Sequence, residues 1–169
     1  METVKNEQEV KRPSQFLKPI DGSVIILASH LVRIKTHYLD SRKTGVLCSP
    51  KNCPFCSAGQ IPRYEYFYWG KLDTDEGVMR MPSGMFFSLN DKEAKLKKSK
   101  REFEWIVSKS GEGKSTRYAV TRGKDVEQDE KTIVVNTGKL VKAVTKYEKS
   151  LKARADELAP DFTFGEEPR

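Results

Sequence analysis

The alternation of apolar and polar positions predicts a β domain followed by one long helix. Residues Val24–Leu39 (VIILASHLVRIKTHYL) are a β-branched run whose second half alternates. Val32, Ile34 and Thr36 fall on one face, and Arg33, Lys35 and His37 on the other. An irregular excursion rich in Ser, Pro, Gly and Lys follows over 40–62. Arg63–Leu72 (RYEYFYWGKL) reads as a second strand, ended by a turn over 74–77, and 78–89 as a third, broken near Pro82-Ser83-Gly84. Asn90-Asp91-Lys92-Glu93 has the form of a capping box that opens a short basic helix to about Arg101. Segments 102–108 and 117–121 pair as a hairpin around S-G-E-G-K-S, and 132–135 reads as a short strand. Over 138–158, Leu140, Val144, Tyr147, Leu151, Ala155 and Leu158 recur three or four residues apart, the stripe of an amphipathic helix.

Five strands with one helix between the third and fourth is the element order of a five-stranded OB-fold barrel, whereas a plain sandwich has no place for that helix. The expected architecture is therefore mainly β. A flexible arm covers 1–15, and the barrel domain covers 16–124 with a zinc-binding insertion at 37–60. An acidic link, a short strand and the C-terminal amphipathic helix occupy 125–158, and an acidic tail covers 159–169.

Charge sharpens this picture. The 169 residues carry a net +7, and 22–124 alone hold 19 basic and 10 acidic side chains, a net of +9. A basic central domain points to a polyanionic partner, and nucleic acid is the commonest. No apolar run resembles a signal peptide or a membrane span, so a cytoplasmic protein with reduced thiols is expected.

All three cysteines lie in L-C-S-P-K-N-C-P-F-C at 47–56. A redox C-x-x-C pair would open a helix in a βαβ unit. Here Cys53-Pro54-Phe55-Cys56 stands between two strand-like segments, with small residues after it. A structural zinc site takes four ligands, and Cys48, Cys53 and Cys56 supply three. His37, at the end of the first strand, completes the set as H-x10-C-x4-C-x2-C. The competing readings are another fourth ligand or thiols without metal. A closed four-ligand site is structural, because no open position remains to activate water.

The strand at 63–72 packs five aromatics into six positions. Tyrosine hydroxyls favour water, so Tyr64, Tyr66 and Tyr68 are expected on the exposed face and Phe67 and Trp69 in the core. Exposed rings beside cations such as Arg33, Lys35 and Lys71 suit stacking on unpaired bases. The hairpin adds Trp105, Lys109, Lys114, Arg117, Tyr118 and Arg122 around a glycine loop. A Walker A loop is excluded, because G-x-x-x-x-G-K-S needs glycine where Ser108 stands and no helix follows. Two histidines and acids confined to turns and links leave no catalytic constellation, so the chain reads as a binder and not an enzyme.

The entry F-L-K-P-I-D-G-S at 16–23, the set His37/Cys48/Cys53/Cys56, the strand R-Y-E-Y-F-Y-W and T-R-Y-A-V at 116–120 together resemble the single-stranded DNA-binding proteins of tailed bacteriophages. The resemblance implies an OB-fold with a zinc subdomain after the first long strand. It further implies coating of transient single strands in replication, recombination and repair, and recruitment of partner proteins by an acidic C-terminal tail. The Cys48–Cys53 spacing is short for that group, and the tail here is brief and ends in Arg169. Two other readings compete: an RNA-binding zinc-ribbon or OB module of transcription or translation, and an assembly adaptor that self-associates through the 138–158 helix.

Overall fold

The computed structural model describes residues 16–127 and 133–162, without the side chains of Ser29, His30 and Lys114. The expected arm at 1–15 and most of the expected tail lie outside these residues. Of the expected strand at 132–135, residues 133–135 are described and are not extended in any ladder. No helix among the described residues is long and apolar enough to cross a membrane.

Six antiparallel strands form one sheet. They are β1 (Val24–Leu39), β2 (Thr44–Leu47), β3 (Arg63–Leu72), β4 (Asp75–Met81), β5 (Phe103–Ser110) and β6 (Arg117–Asp125). The order is β4-β3-β1-β5-β6, with β2 paired to the end of β1. β2 adds a short strand to the expected five, and the sheet does not close: β4 and β6 are its edges. The physical reason lies at Pro82. Proline carries no N–H for a ladder but suits a helix start. The chain therefore leaves the sheet after Met81 and enters α2 (Ser83–Leu96).

This corrects two expectations. Residues 83–89 are helix, not strand, because Met85 and Leu89 stand four apart and bury on one side. Asn90-Asp91-Lys92-Glu93 then falls inside α2, and the Glu93 carboxylate accepts from the Lys100 amide at 2.6 Å, capping the next turn instead of its own helix. α2 bridges toward the other sheet edge, where Ser88 Oγ accepts from the Val120 amide at 3.2 Å.

β1 carries an irregularity between Leu27 and Leu31, opposite Gly70. A Cβ on Gly70 would stand 2.5 Å from the Ile26 carbonyl oxygen, so only glycine admits this close crossing.

Two cores sandwich the sheet. On one face Ile25, Leu27, Tyr66, Tyr68 and Met79 pack with Trp105 and with Met85 and Leu89 of α2. On the other, Ile34, Phe67, Trp69 and Phe16 pack beneath Leu140 and Val144 of α3 (Thr137–Leu158). β3 is thus covered on both sides. The expected exposed row fails at Tyr66 and Tyr68, which are buried together with Phe67 and Trp69. A strand between two helical layers needs a continuous apolar run, and 66–69 provides one. The Tyr68 hydroxyl is satisfied by the Lys100 ammonium at 3.3 Å. The apolar stripe of α3 packs on the chain's own sheet and, at Ala155 and Leu158, on the cluster around Phe55.

Candidate metal centre and adjoining cleft

His37 stands two residues before the end of β1, β2 returns antiparallel to it, and Cys48 follows β2 directly, its amide donating to the Lys35 carbonyl at 3.0 Å. The chain then turns through Asn52, at φ +51°, into a single helical turn, α1 (Pro54–Ser57), with Cys53 at its N-cap. Proline at the first position presets that turn, so Cys53 and Cys56 project to one side. Gly59, at φ +86°, ends it, and its amide donates to the Cys56 carbonyl at 3.0 Å.

The four expected ligands converge. His37 Nε2 lies 3.5 Å from Cys53 Sγ and 3.3 Å from Cys56 Sγ, and Cys48 Sγ lies 3.6 Å from Cys56 Sγ. All four ligand atoms fall within 4.8 Å of one another. Zinc bonds of about 2.3 Å to sulfur and about 2.0 Å to nitrogen set tetrahedral ligand atoms roughly 3.5–3.8 Å apart. The cluster therefore fits a metal ion of that size and softness.

Without a cation the thiols differ. Burial and the neighbouring cysteines push Cys48 up to about 12. Burial also raises Cys53, but the backbone amides of Cys56, Ser49 and Phe55 outweigh it and leave that thiol below its usual value. Burial, and then Lys35, lowers His37, which keeps the imidazole neutral as a ligand must be. The far nitrogen, His37 Nδ1, is buried with no hydrogen-bond partner among the described residues. The ring is held by packing instead, with the Phe55 ring 5.8 Å away.

The lobe has a small core of its own. Phe55 packs edge-on against Phe162 at 5.0 Å, with Leu39, Val46 and Ala58 around them. Phe162 is 2% exposed, so the segment expected to begin a free tail at 159 is docked as far as 162. Arg42, in the turn between β1 and β2, pairs with Asp161 at 2.7 Å and adds to this anchor. The composition of 40–62 gave no sign of this anchor, because half of it comes from the other end of the chain.

The remaining site residues divide. Tyr64 (38% exposed) pairs with Lys35 across the ladder, and Arg33 stacks over its ring at 4.7 Å. Lys109 lies over the half-buried Tyr118 ring at 5.9 Å, beside exposed Arg117. Trp105 is fully buried and donates to the Lys100 carbonyl at 2.7 Å, which corrects it from contact to core. Lys71 stands at the opposite end of β3 from Tyr64, and Arg122 packs over Phe103 at 5.2 Å, away from the Tyr118 end of its hairpin. Both are therefore separated from the Tyr64 group. Lys114 is among the side chains outside the description.

Where β4 turns away into α2, a cleft of about 680 Å³ opens between the start of β3, the β1–β2 hairpin, Tyr118 and α3. Lys18, Lys43, Arg63, Arg80 and Arg154 line it against the single carboxylate of Glu65, together with Tyr38, Tyr64, Tyr118 and Tyr147. Glu65 is committed to Arg80 and to the Tyr147 hydroxyl, at 3.0 Å from one of its oxygens. Burial and Glu65 push Tyr147 up to about 12, so it remains a donor throughout the neutral range. Sequence patterning missed most of these residues, because they come from five separate segments. It also missed Phe87 on α2, 61% exposed and 6.4 Å from the Tyr66 ring. The double phenylalanine at 86–87 was the available signal, but it reads as strand until Pro82 is taken as a helix start.

An open antiparallel sheet with a C-terminal helix, carrying a Cys3His cluster on a hairpin, is the class these features define. No protein-family model, curated protein or solved structure matches this chain.

Proposed function

We propose that this chain binds single-stranded DNA with little sequence preference and serves in replication, recombination or repair as a coating protein, not as an enzyme. The observation that carries the reading is the cleft, with five cations against one committed carboxylate and four tyrosines on its walls. Cations neutralise phosphates and tyrosine faces accept unpaired bases whatever their identity. Zinc in the Cys3His cluster would be structural, holding the β1–β2 hairpin as one wall.

The strand order β4-β3-β1-β5-β6 supports the finer fold reading, since it has the neighbour relations of an OB barrel opened at one seam. In that fold oligonucleotides lie against the second and third strands between the first and last hairpin loops. Here those parts correspond to β3, β4, the metal lobe and the β5–β6 turn; the first three line the cleft, and Tyr118 of β6 reaches it from beside the turn. Resemblance to the phage single-stranded DNA-binding proteins supports the same reading. In this proposal the protein acts in the cytoplasm of the host cell, and its acidic terminus recruits replication or recombination proteins.

Titration with dT oligomers of graded length tests it. Tyrosine fluorescence should quench at low salt, and the affinity should fall steeply as salt rises. Tyr64→Ala should cost about 1–3 kcal/mol for the base it stacks. Absence of quenching at low salt overturns the reading, and preference for a matched RNA oligomer moves it to the RNA-binding alternative.

A further inference from the structure

The charges of α3 run against its own dipole. A helix favours anions at its N-terminus and cations at its C-terminus. α3 has no acidic residue in its first turn and no basic residue in its last. Lys139 and Lys142 stand in its first two turns, and Asp156 and Glu157 near its end. Lys139, Lys142, Lys146, Lys149 and Lys152 are all exposed, at spacings that align them opposite the buried Leu140, Val144 and Leu151.

α2 provides the internal contrast. Its Lys95 sits in the last turn, where the dipole favours it, and pairs with Asp91 at 3.0 Å. Within α3, Lys152 has a comparable partner in Asp156 at 4.0 Å, and Lys139 lies over the Trp69 ring at 5.9 Å. Intramolecular contacts therefore account for the two ends of the ladder and not for Lys142, Lys146 and Lys149. A row of cations that its own helix does not favour is explained by an anion outside the chain. The ladder extends from Lys139 to Lys152, fourteen residues and about 20 Å of helix axis. Tyr147 and Arg154 of the same helix line the cleft, so the ladder is carried by a helix that forms one wall of it, on the face turned away from the sheet.

We propose that the α3 lysine ladder is a second track for the phosphodiester backbone, engaging single-stranded DNA that extends beyond the cleft. The inference rests on the cleft being a single-strand site, and it predicts that long strands bind tighter than the cleft alone allows.

The test compares the full chain with the variant Lys139→Gln/Lys142→Gln/Lys146→Gln/Lys149→Gln, using fluorescently labelled dT oligomers of graded length over a range of salt. The variant should bind the shortest oligomers as the parent does, yet stop gaining affinity as the strand lengthens. Its slope of log K against log salt should be shallower by about 0.7 for each lysine engaged, up to about 2.8 for four. Its melting temperature should be unchanged or higher, because the substitutions remove cations from the unfavourable end of the dipole. An unchanged length dependence and salt slope overturns the ladder while leaving the cleft reading intact. Loss of self-association without change in DNA binding also overturns it, in favour of contact with a second copy. Failure of the parent protein to bind dT of any length overturns both.

Discussion

The sheet buries Phe67 and Trp69 beneath α3, and Tyr66 and Tyr68 beneath α2. The metal lobe, in contrast, buries a single phenylalanine of its own, Phe55, and takes a second, Phe162, from beyond α3. Burial on that scale holds a two-sided sheet, but a lobe that contributes six residues of its own to its buried cluster, two of them cysteines, cannot offset the ordering of its backbone by burial alone. A metal ion held by the Cys3His cluster would supply the difference. The comparison teaches that the two regions share one chain but not one source of stability, so they should fail separately.

The largest expected effect comes from removing the metal. Structural zinc contributes roughly 10 kcal/mol or more to small domains at neutral pH. A strong chelator, or Cys53→Ser, should abolish amide-exchange protection over 44–60 while the amides of β3 and β5 stay protected. Uniform loss of protection would erase the distinction between lobe and sheet, and unchanged protection would show that the lobe needs no metal.

Phe67→Ala attacks the other side of the comparison. It removes a fully buried ring that touches Phe16 and Tyr147, at centroid distances of 5.0 and 5.7 Å. Urea unfolding should show a loss of about 3–5 kcal/mol, with one zinc per chain retained below the transition. Release of zinc at the same urea concentration at which the sheet unfolds, in parent and variant alike, would join the two regions into one unit.

The smallest effect separates the regions by pH. Tyr68 and Tyr147, both outside the lobe, are pushed up to about 12 from an ordinary 10, mainly by burial. Between those values the folded state holds protons that the unfolded state has lost. Stability is therefore complete below about pH 10 and is lost as pH rises toward 12, at up to about 1.4 kcal/mol per unit for each group. Tyr147→Phe should remove about half of that slope. An identical alkaline profile in the variant would refute the assignment.

Much of this was legible in the chain. The β-branched run of β1, the glycine hairpin and the stripe of α3 follow from local periodicity, and each appears where the pattern places it. The metal ligands were legible because C-P-x-C turns carry their own geometry and only two histidines were available. Phe86-Phe87 misled, since a run of apolar residues suits strand or helix alike until the proline before it is placed. The tyrosine faces misled because alternation on β3 says which residues share a side, not how many sides are covered.

What the sequence by itself determined is local: the run of β1, the glycine hairpin, the stripe of α3, and which four side chains can hold a metal. What only the tertiary structure decided is what meets across distance. It placed α2 and α3 on opposite faces of β3, seated Phe162 on Phe55, and gathered Lys18, Arg63, Tyr118 and Arg154 around one cleft. The physical reason is that spacing encodes turns and faces within about ten residues, whereas burial depends on which layer arrives to cover a face. Covering layers here come from as far as residues 55 and 162, and no local pattern records that meeting.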